Sequence, residues 1–194
     1  EAIHVCDAVA DAVEYSHTKA GVHRDIKPDN IILRNGYPDP ILVDFGLTFN
    51  GLDMDEDLTQ DWQELGNRFL RLPELASYSA NRDDKRTDVA FLGGILFFCL
   101  FGIDPAVLEN EQGQRPHQRP GVSLDLVTAN IRARGQLAAL FDHVFEPRIN
   151  ERLPSVRAFR ESLQRIRMAT MNEETLSAND LIAQINERFS PATK

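Results

Sequence analysis
The stretch His23-Arg24-Asp25-Ile26-Lys27-Pro28-Asp29-Asn30 places six polar or charged side chains and a proline within eight residues. Upstream of it Ile3, Cys6, Val9, Ala10 and Val13 recur at three- and four-residue steps. That period predicts an amphipathic helix ending near Lys19 to Gly21, with the glycine as its stop. Downstream, the run Asn30 to Leu33, the turn-like Asn35-Gly36-Tyr37-Pro38 and the apolar run Ile41 to Val43 predict two short paired strands. The polar stretch thus sits between a helix and a hairpin, where rigid elements can hold several polar groups in a fixed arrangement.

Directly after the second apolar run comes Asp44-Phe45-Gly46, fourteen positions beyond Asn30. Pairing of the strands brings Asn30 and Asp44 close together. An amide oxygen and a carboxylate are hard ligands, suited to a magnesium ion that keeps waters and borrows phosphate oxygens rather than to a closed protein cage. Asp25, off the metal, is left to receive or orient a hydroxyl proton.

The rest of the chain supplies a scaffold. Its 194 residues are 42% hydrophobic, enough for one substantial core. Thr87 and Asp88 open an apolar helix to Gly102, hydrophobic all round and therefore central. The uncharged stretch Val89 to Ile103 is too short to cross a bilayer comfortably. Glu111 to Gly121 reads as a surface loop, and helical patterns follow at Leu124 to Arg134, Leu137 to Phe145 and Ser155 to Ile166. Ser177-x-x-Asp180 precedes Leu181, Ile182, Ile185 and Phe189, the pattern of a capped terminal helix. From Asn50 to Glu64 acids meet no base, which predicts a long loop. The fold class expected is α+β, mainly α, with one small β-hairpin beside the chemistry.

Thirty acidic against twenty-one basic side chains give a net charge of -9, which argues against binding to nucleic-acid phosphates. Two cysteines, Cys6 and Cys99, both lie in apolar helical patterns. They suggest neither a disulfide framework nor a thiolate metal site, and a reducing, cytoplasmic setting fits. His4, His17, His117 and His143 show no metal-ligand spacing. No basic-then-apolar leader opens the chain, which starts within what reads as a helix and so resembles a fragment.

On His23 to Asn30 and Asp44-Phe45-Gly46 the sequence resembles the C-terminal lobe of a protein kinase of the serine/threonine type. The resemblance implies ATP and Mg2+ as the nucleotide and metal, and a protein hydroxyl as acceptor. It makes Asp25 the base that positions that hydroxyl, Lys27 the cation beside the transferred phosphoryl group, and Asn30 and Asp44 the magnesium ligands. Lys27, two places after Asp25, is what favours serine/threonine over tyrosine. His23 and Phe45 would join a hydrophobic column between the lobes, and Gly46 would give freedom at a switch point. Arg24 is placed to meet an activation-loop phosphate, with Thr48 and Thr59 as candidate acceptors, or simply an acid of that loop. Gly66 to Glu74 resembles the end of an activation segment, with Leu72 where alanine is usual. Asp88 matches the aspartate that holds the catalytic-loop backbone, and Arg152 the arginine that pairs with Glu74 in a buried ion pair.

The likeness covers residues 1 to 166 and leaves 167 to 194 as a helical extension. Asn67 stands where the family has threonine, which loosens serine/threonine specificity. Neither a G-x-G-x-x-G loop nor a V-A-I-K lysine occurs in the 194 residues, so the N-terminal lobe that covers ATP is expected upstream and the isolated chain is expected to be inactive. Two alternatives remain open: a kinase-like regulatory scaffold without catalysis, and a small-molecule kinase, which shares the H-x-D-x-x-x-x-N pattern.

Overall fold
Helix α1 (Ala2–Lys19) turns Val5, Cys6, Val9, Ala10 and Val13 into the core, as its apolar period requires. It stops where Gly21, at φ 98°, donates its N–H back to the Ser16 carbonyl at 3.2 Å. In this computed structural model the residues described are 1–19, 21–34, 39–44, 68–75 and 83–171. Phe45, Gly46, Thr48, the acidic run to Glu64, Thr59, Asn67 and the segment from 172 onward, with its expected terminal helix, lie outside them.

Strand β1 (Ile31–Arg34) pairs antiparallel with β2 (Asp39–Leu42), Ile31 opposite Leu42 and Arg34 opposite Asp39. The strands expected at Asn30 to Leu33 and Ile41 to Val43 are therefore offset. Asn30 is consumed by a 3-10 turn, Pro28–Asn30, and an ion pair of 2.8 Å between Arg34 and Asp39 extends the pairing toward the turn. A second, parallel pairing was not expected: β3 (Leu70–Arg71) lies beside β4 (Ala106–Val107). Two residues are too few to leave a periodic signal.

Helix α2 (Arg86–Phe101) has Thr87 through Phe97 buried on every side. Its end is a left-handed glycine, Gly102 at φ 66°, whose N–H reaches the Phe98 carbonyl at 2.8 Å. The helical patterns expected at Leu124 to Arg134 and Leu137 to Phe145 are instead a 3-10 turn, Leu124–Leu126, followed by a single helix α3 (Ile131–Val144). Asn130 divides the two: its side-chain oxygen caps α3 by accepting the Ala133 N–H at 2.7 Å. Helix α4 covers residues 156–171. Ala169 is buried, and its carbonyl accepts Nδ2 of Asn130 at 3.1 Å.

Around α2 the core closes with Phe97, Phe141 and Phe145 packed edge to face and stacked, together with Phe159, Leu163 and Ile166 of α4. At Gly93 α2 packs closely on α3, since a Cβ there would collide with the Val144 side chain. Among the described residues no helix is long and apolar enough to cross a membrane. The described part is mainly helical with small strand pairs, as expected.

Candidate active site
Between α1 and the Pro28–Asn30 turn the chain runs from Gly21 to Lys27 without helix or strand. Ile26 anchors it in the core with no exposed surface. Arg24 holds φ at 71°, an uncommon and strained value for a long side chain. What stabilises it comes from α2. Asp88, fully buried, accepts the N–H of His23 at 2.7 Å and of Arg24 at 2.9 Å, and His17 Nε2 lies 2.8 Å from the same carboxylate.

Asp25 is buried except for about a tenth of its surface, at 8% exposure. Its Oδ2 accepts Lys27 Nζ at 2.7 Å and Asn30 Nδ2 at 3.0 Å, while its main-chain oxygen accepts the same Asn30 nitrogen at 2.8 Å. The Pro28–Asn30 turn makes this possible by bringing Asn30 back over Asp25. With its nitrogen committed to Asp25, the Asn30 amide turns its oxygen to the opposite side, since the two atoms diverge from one planar carbon. The Asn30 main-chain oxygen accepts the Val43 N–H at 2.9 Å, so Asp44, the next residue, follows directly from this contact. Asp44 is exposed and left-handed at φ 62°, a conformation aspartate tolerates better than most residues.

Burial pushes the His23 imidazole below its ordinary range, against the opposing pull of Asp88, Asp25, the Val43 main chain and Asp44. His23 is thus a neutral, packed side chain. Among the described residues no group of three or more His, Cys, Asp or Glu side chains could hold a metal. The hard oxygens of Asn30 and Asp44 fit an ion that completes its shell with water and phosphate.

Below the loop, Glu74, in the 3-10 turn Pro73–Leu75, meets Arg152 at 2.5 Å with Arg152 2% and Glu74 5% exposed. Arg152 also donates to the main-chain oxygens of Glu146 at 3.1 Å and Arg86 at 3.2 Å, and Thr87 Oγ1 donates to Glu74 at 3.2 Å. The pair is therefore saturated with hydrogen bonds, the condition under which a buried charge is tolerated. Arg24 meets an acid: its Nη2 lies 2.6 Å from Asp83. Asp83 and His17 had no signal in the sequence, because their partners are 59 and 71 residues distant.

A protein-family model described as "Protein kinase domain" matches residues 1–162. Serine/threonine-protein kinase PknA of Nostoc sp. is 31% identical over 154 residues, 78% of this chain and 26% of that protein. Serine/threonine-protein kinase D of Synechocystis sp. is 30% identical over 132 residues, 66% of this chain and again 26% of that protein. The chain thus spans about a quarter of the length of these relatives. Among solved structures, the Mycobacterium tuberculosis PknI kinase domain aligns with a TM-score of 0.53 and 20% identity, covering 86% of this chain and 55% of that one. At that identity the likeness concerns the fold.

Proposed function
Since the chain belongs to the protein kinase domain family, we propose that it is the C-terminal lobe, residues 1 to 166, of an ATP-dependent kinase that transfers the γ-phosphoryl group to serine and threonine hydroxyls of proteins. The observation that carries the reading is Asp25, held by Lys27 Nζ at 2.7 Å and Asn30 Nδ2 at 3.0 Å in a largely buried position. A carboxylate so placed can take the proton of an incoming hydroxyl. Lys27 keeps a positive charge at the same point, where negative charge on the transferred group is balanced. Asn30 and Asp44 would hold Mg2+, which supplies charge neutralisation of the nucleotide phosphates when bound. Phosphoryl transfer asks little covalent help, so orientation by these four side chains is the greater part of the work. Serine/threonine selectivity rests on Lys27 and on the similarity to relatives that are serine/threonine-protein kinases.

No glycine-rich G-x-G-x-x-G loop and no V-A-I-K lysine occurs in the 194 residues, and the alignment covers 55% of the PknI domain. On this reading the parts that cover ATP would lie in sequence outside this chain. By itself the chain is expected to transfer no phosphate, and detectable turnover would overturn that part of the reading. A cytoplasmic setting accords with two cysteines that are both free.

Asp25→Asn or Asp44→Asn in the full-length protein tests the assignment. A general base contributes on the order of 10²–10⁴-fold, so phosphate incorporation into a protein substrate should fall at least a hundredfold for Asp25→Asn. Incorporation equal to wild type in either variant would refute the role given to that residue. A panel comparing proteins with aminoglycosides separates protein from small-molecule transfer.

A further inference from the structure
Arg24 immediately precedes Asp25, and its backbone stands at φ 71°, a left-handed value that few long side chains adopt. Two acids at the start of α2 grip it. From within, the buried Asp88 accepts the Arg24 N–H at 2.9 Å and the His23 N–H at 2.7 Å. From the solvent side, Asp83 accepts Arg24 Nη2 through Oδ1 at 2.6 Å. The Arg24 side chain is 16% exposed and that of Asp83 61%, so the ion pair lies at the surface end of a largely buried guanidinium. The segment that carries Asp83 is itself fixed. Asp84 accepts the Arg86 main-chain N–H at 2.9 Å and the Arg86 guanidinium at 2.9 and 2.6 Å, and that guanidinium also donates to Asn150 Oδ1 at 3.0 Å. Lys85 Nζ donates to the His17 main-chain oxygen at 2.8 Å, which ties the same segment to the end of α1. A carboxylate on so rigid a base can hold the geometry of its partner.

We propose that Asp83 is a positioning residue for phosphoryl transfer. By fixing the Arg24 side chain it keeps the residue before Asp25 left-handed, and so keeps the Asp25 carboxylate aimed at the acceptor hydroxyl. This role rests on the kinase reading given above. Rotation of residue 24 toward the ordinary negative φ range would turn the peptide that leads into Asp25. The carboxylate would then draw away from Lys27 Nζ and Asn30 Nδ2, which meet it at 2.7 and 3.0 Å. Misplacing a reacting group by about 1 Å can cost on the order of a hundredfold in rate. An ion pair with one exposed partner adds little to stability. Loss of Asp83 therefore shows in the rate far more than in unfolding.

The test measures peptide phosphorylation and urea unfolding in the full-length protein. Asp83→Ala and Asp83→Asn should lower kcat about tenfold, with KM for ATP and for peptide close to wild type and the urea midpoint nearly unmoved. Asp83→Glu, which keeps the carboxylate, should recover most of the loss. Glycine takes a positive φ without strain, so in an Arg24→Gly background Asp83→Asn should cause no further fall. The proposal is overturned if Asp83→Ala has the wild-type kcat, if Asp83→Asn costs as much beside Arg24→Gly as alone, or if kcat falls only in step with unfolding. A wild-type protein that phosphorylates no protein would fail the kinase reading, and amide hydrogen exchange then decides the role of Asp83. In Asp83→Ala exchange at the Arg24 amide should quicken severalfold while the amides of Ala90 to Leu96 within α2 stay protected. Unchanged exchange at Arg24 overturns the proposal.

Discussion

Asp88 accepts the main-chain N–H of His23 at 2.7 Å, sixty-five residues away along the chain. Its other oxygen takes the N–H of Arg24 at 2.9 Å, and His17 Nε2 completes the set at 2.8 Å. One carboxylate on the central helix thereby holds the strained backbone from which Asp25 projects. Stability and the proposed chemistry meet in this residue, and its removal has a definite cost.

Asp88→Ala strands buried donors, each costing about 1–3 kcal/mol, and the expected loss is about 3–5 kcal/mol in urea unfolding. Asp88→Asn keeps one acceptor oxygen and should cost less. A midpoint for Asp88→Ala equal to wild type would show that the backbone holds without it.

The Glu74–Arg152 pair, both side chains buried, predicts a different pattern. Removing one partner, as in Glu74→Gln or Arg152→Met, leaves the other charge in low dielectric and should cost about 3–5 kcal/mol. Joint replacement by Leu and Met should restore much of that loss. Equal destabilisation in the single and double variants would mean that the main-chain bonds of Arg152, not the charge pair, carry the effect.

The dependence on pH follows from His23, whose folded value lies below its ordinary one because of burial. Above about pH 6.5 both folded and unfolded forms are neutral, and the stability is fully present. As pH falls through that value the unfolded chain takes up a proton that the folded chain refuses, so stability declines. His117, stacked on Phe141 and facing Asp142 and Arg115, is also lowered by burial and acts in the same sense. Urea midpoints measured from about pH 7 to 5 should drop by up to about 1.4 kcal/mol per unit for each histidine, and His23→Gln should flatten the slope. A slope unchanged in that variant would remove His23 from the account.

Gly93 offers a case in which packing and propensity oppose each other. Alanine is favoured over glycine in a helix by about 0.8–1.0 kcal/mol. Here its Cβ would collide with Val144, and overpacking a close core contact costs about 1–3 kcal/mol. Gly93→Ala should therefore destabilise the chain in thermal or urea unfolding, with Val144→Ala in the same molecule relieving it. A more stable Gly93→Ala would mean that α3 shifts freely.

Much was legible in advance where a local pattern carries the information. The apolar period of α1, the all-round hydrophobicity of α2 and the ordered polar set His23 to Asn30 are properties of neighbours in sequence, and the helices formed as that pattern requires. Between Leu124 and Phe145 the helix boundary differs from the one the apolar pattern predicts, because Asn130 caps α3 rather than lying inside a helix. Its role as a cap depends on Ala133 and Ala169, and Ala169 is 39 residues away. The strand offset likewise depends on the Pro28–Asn30 turn.

By itself, then, the order of residues determined that α1 and α2 are helices and which polar groups share the loop, while the resemblance to protein kinases pointed to Glu74, Asp88 and Arg152. Only the tertiary structure decided that His17 joins Asp88 and that Arg24 meets Asp83. The physical reason is one of range. Periodicity specifies which face of a helix is apolar, whereas the partner of each residue on that face depends on how far two helices slide and in which direction they run, which no single segment encodes.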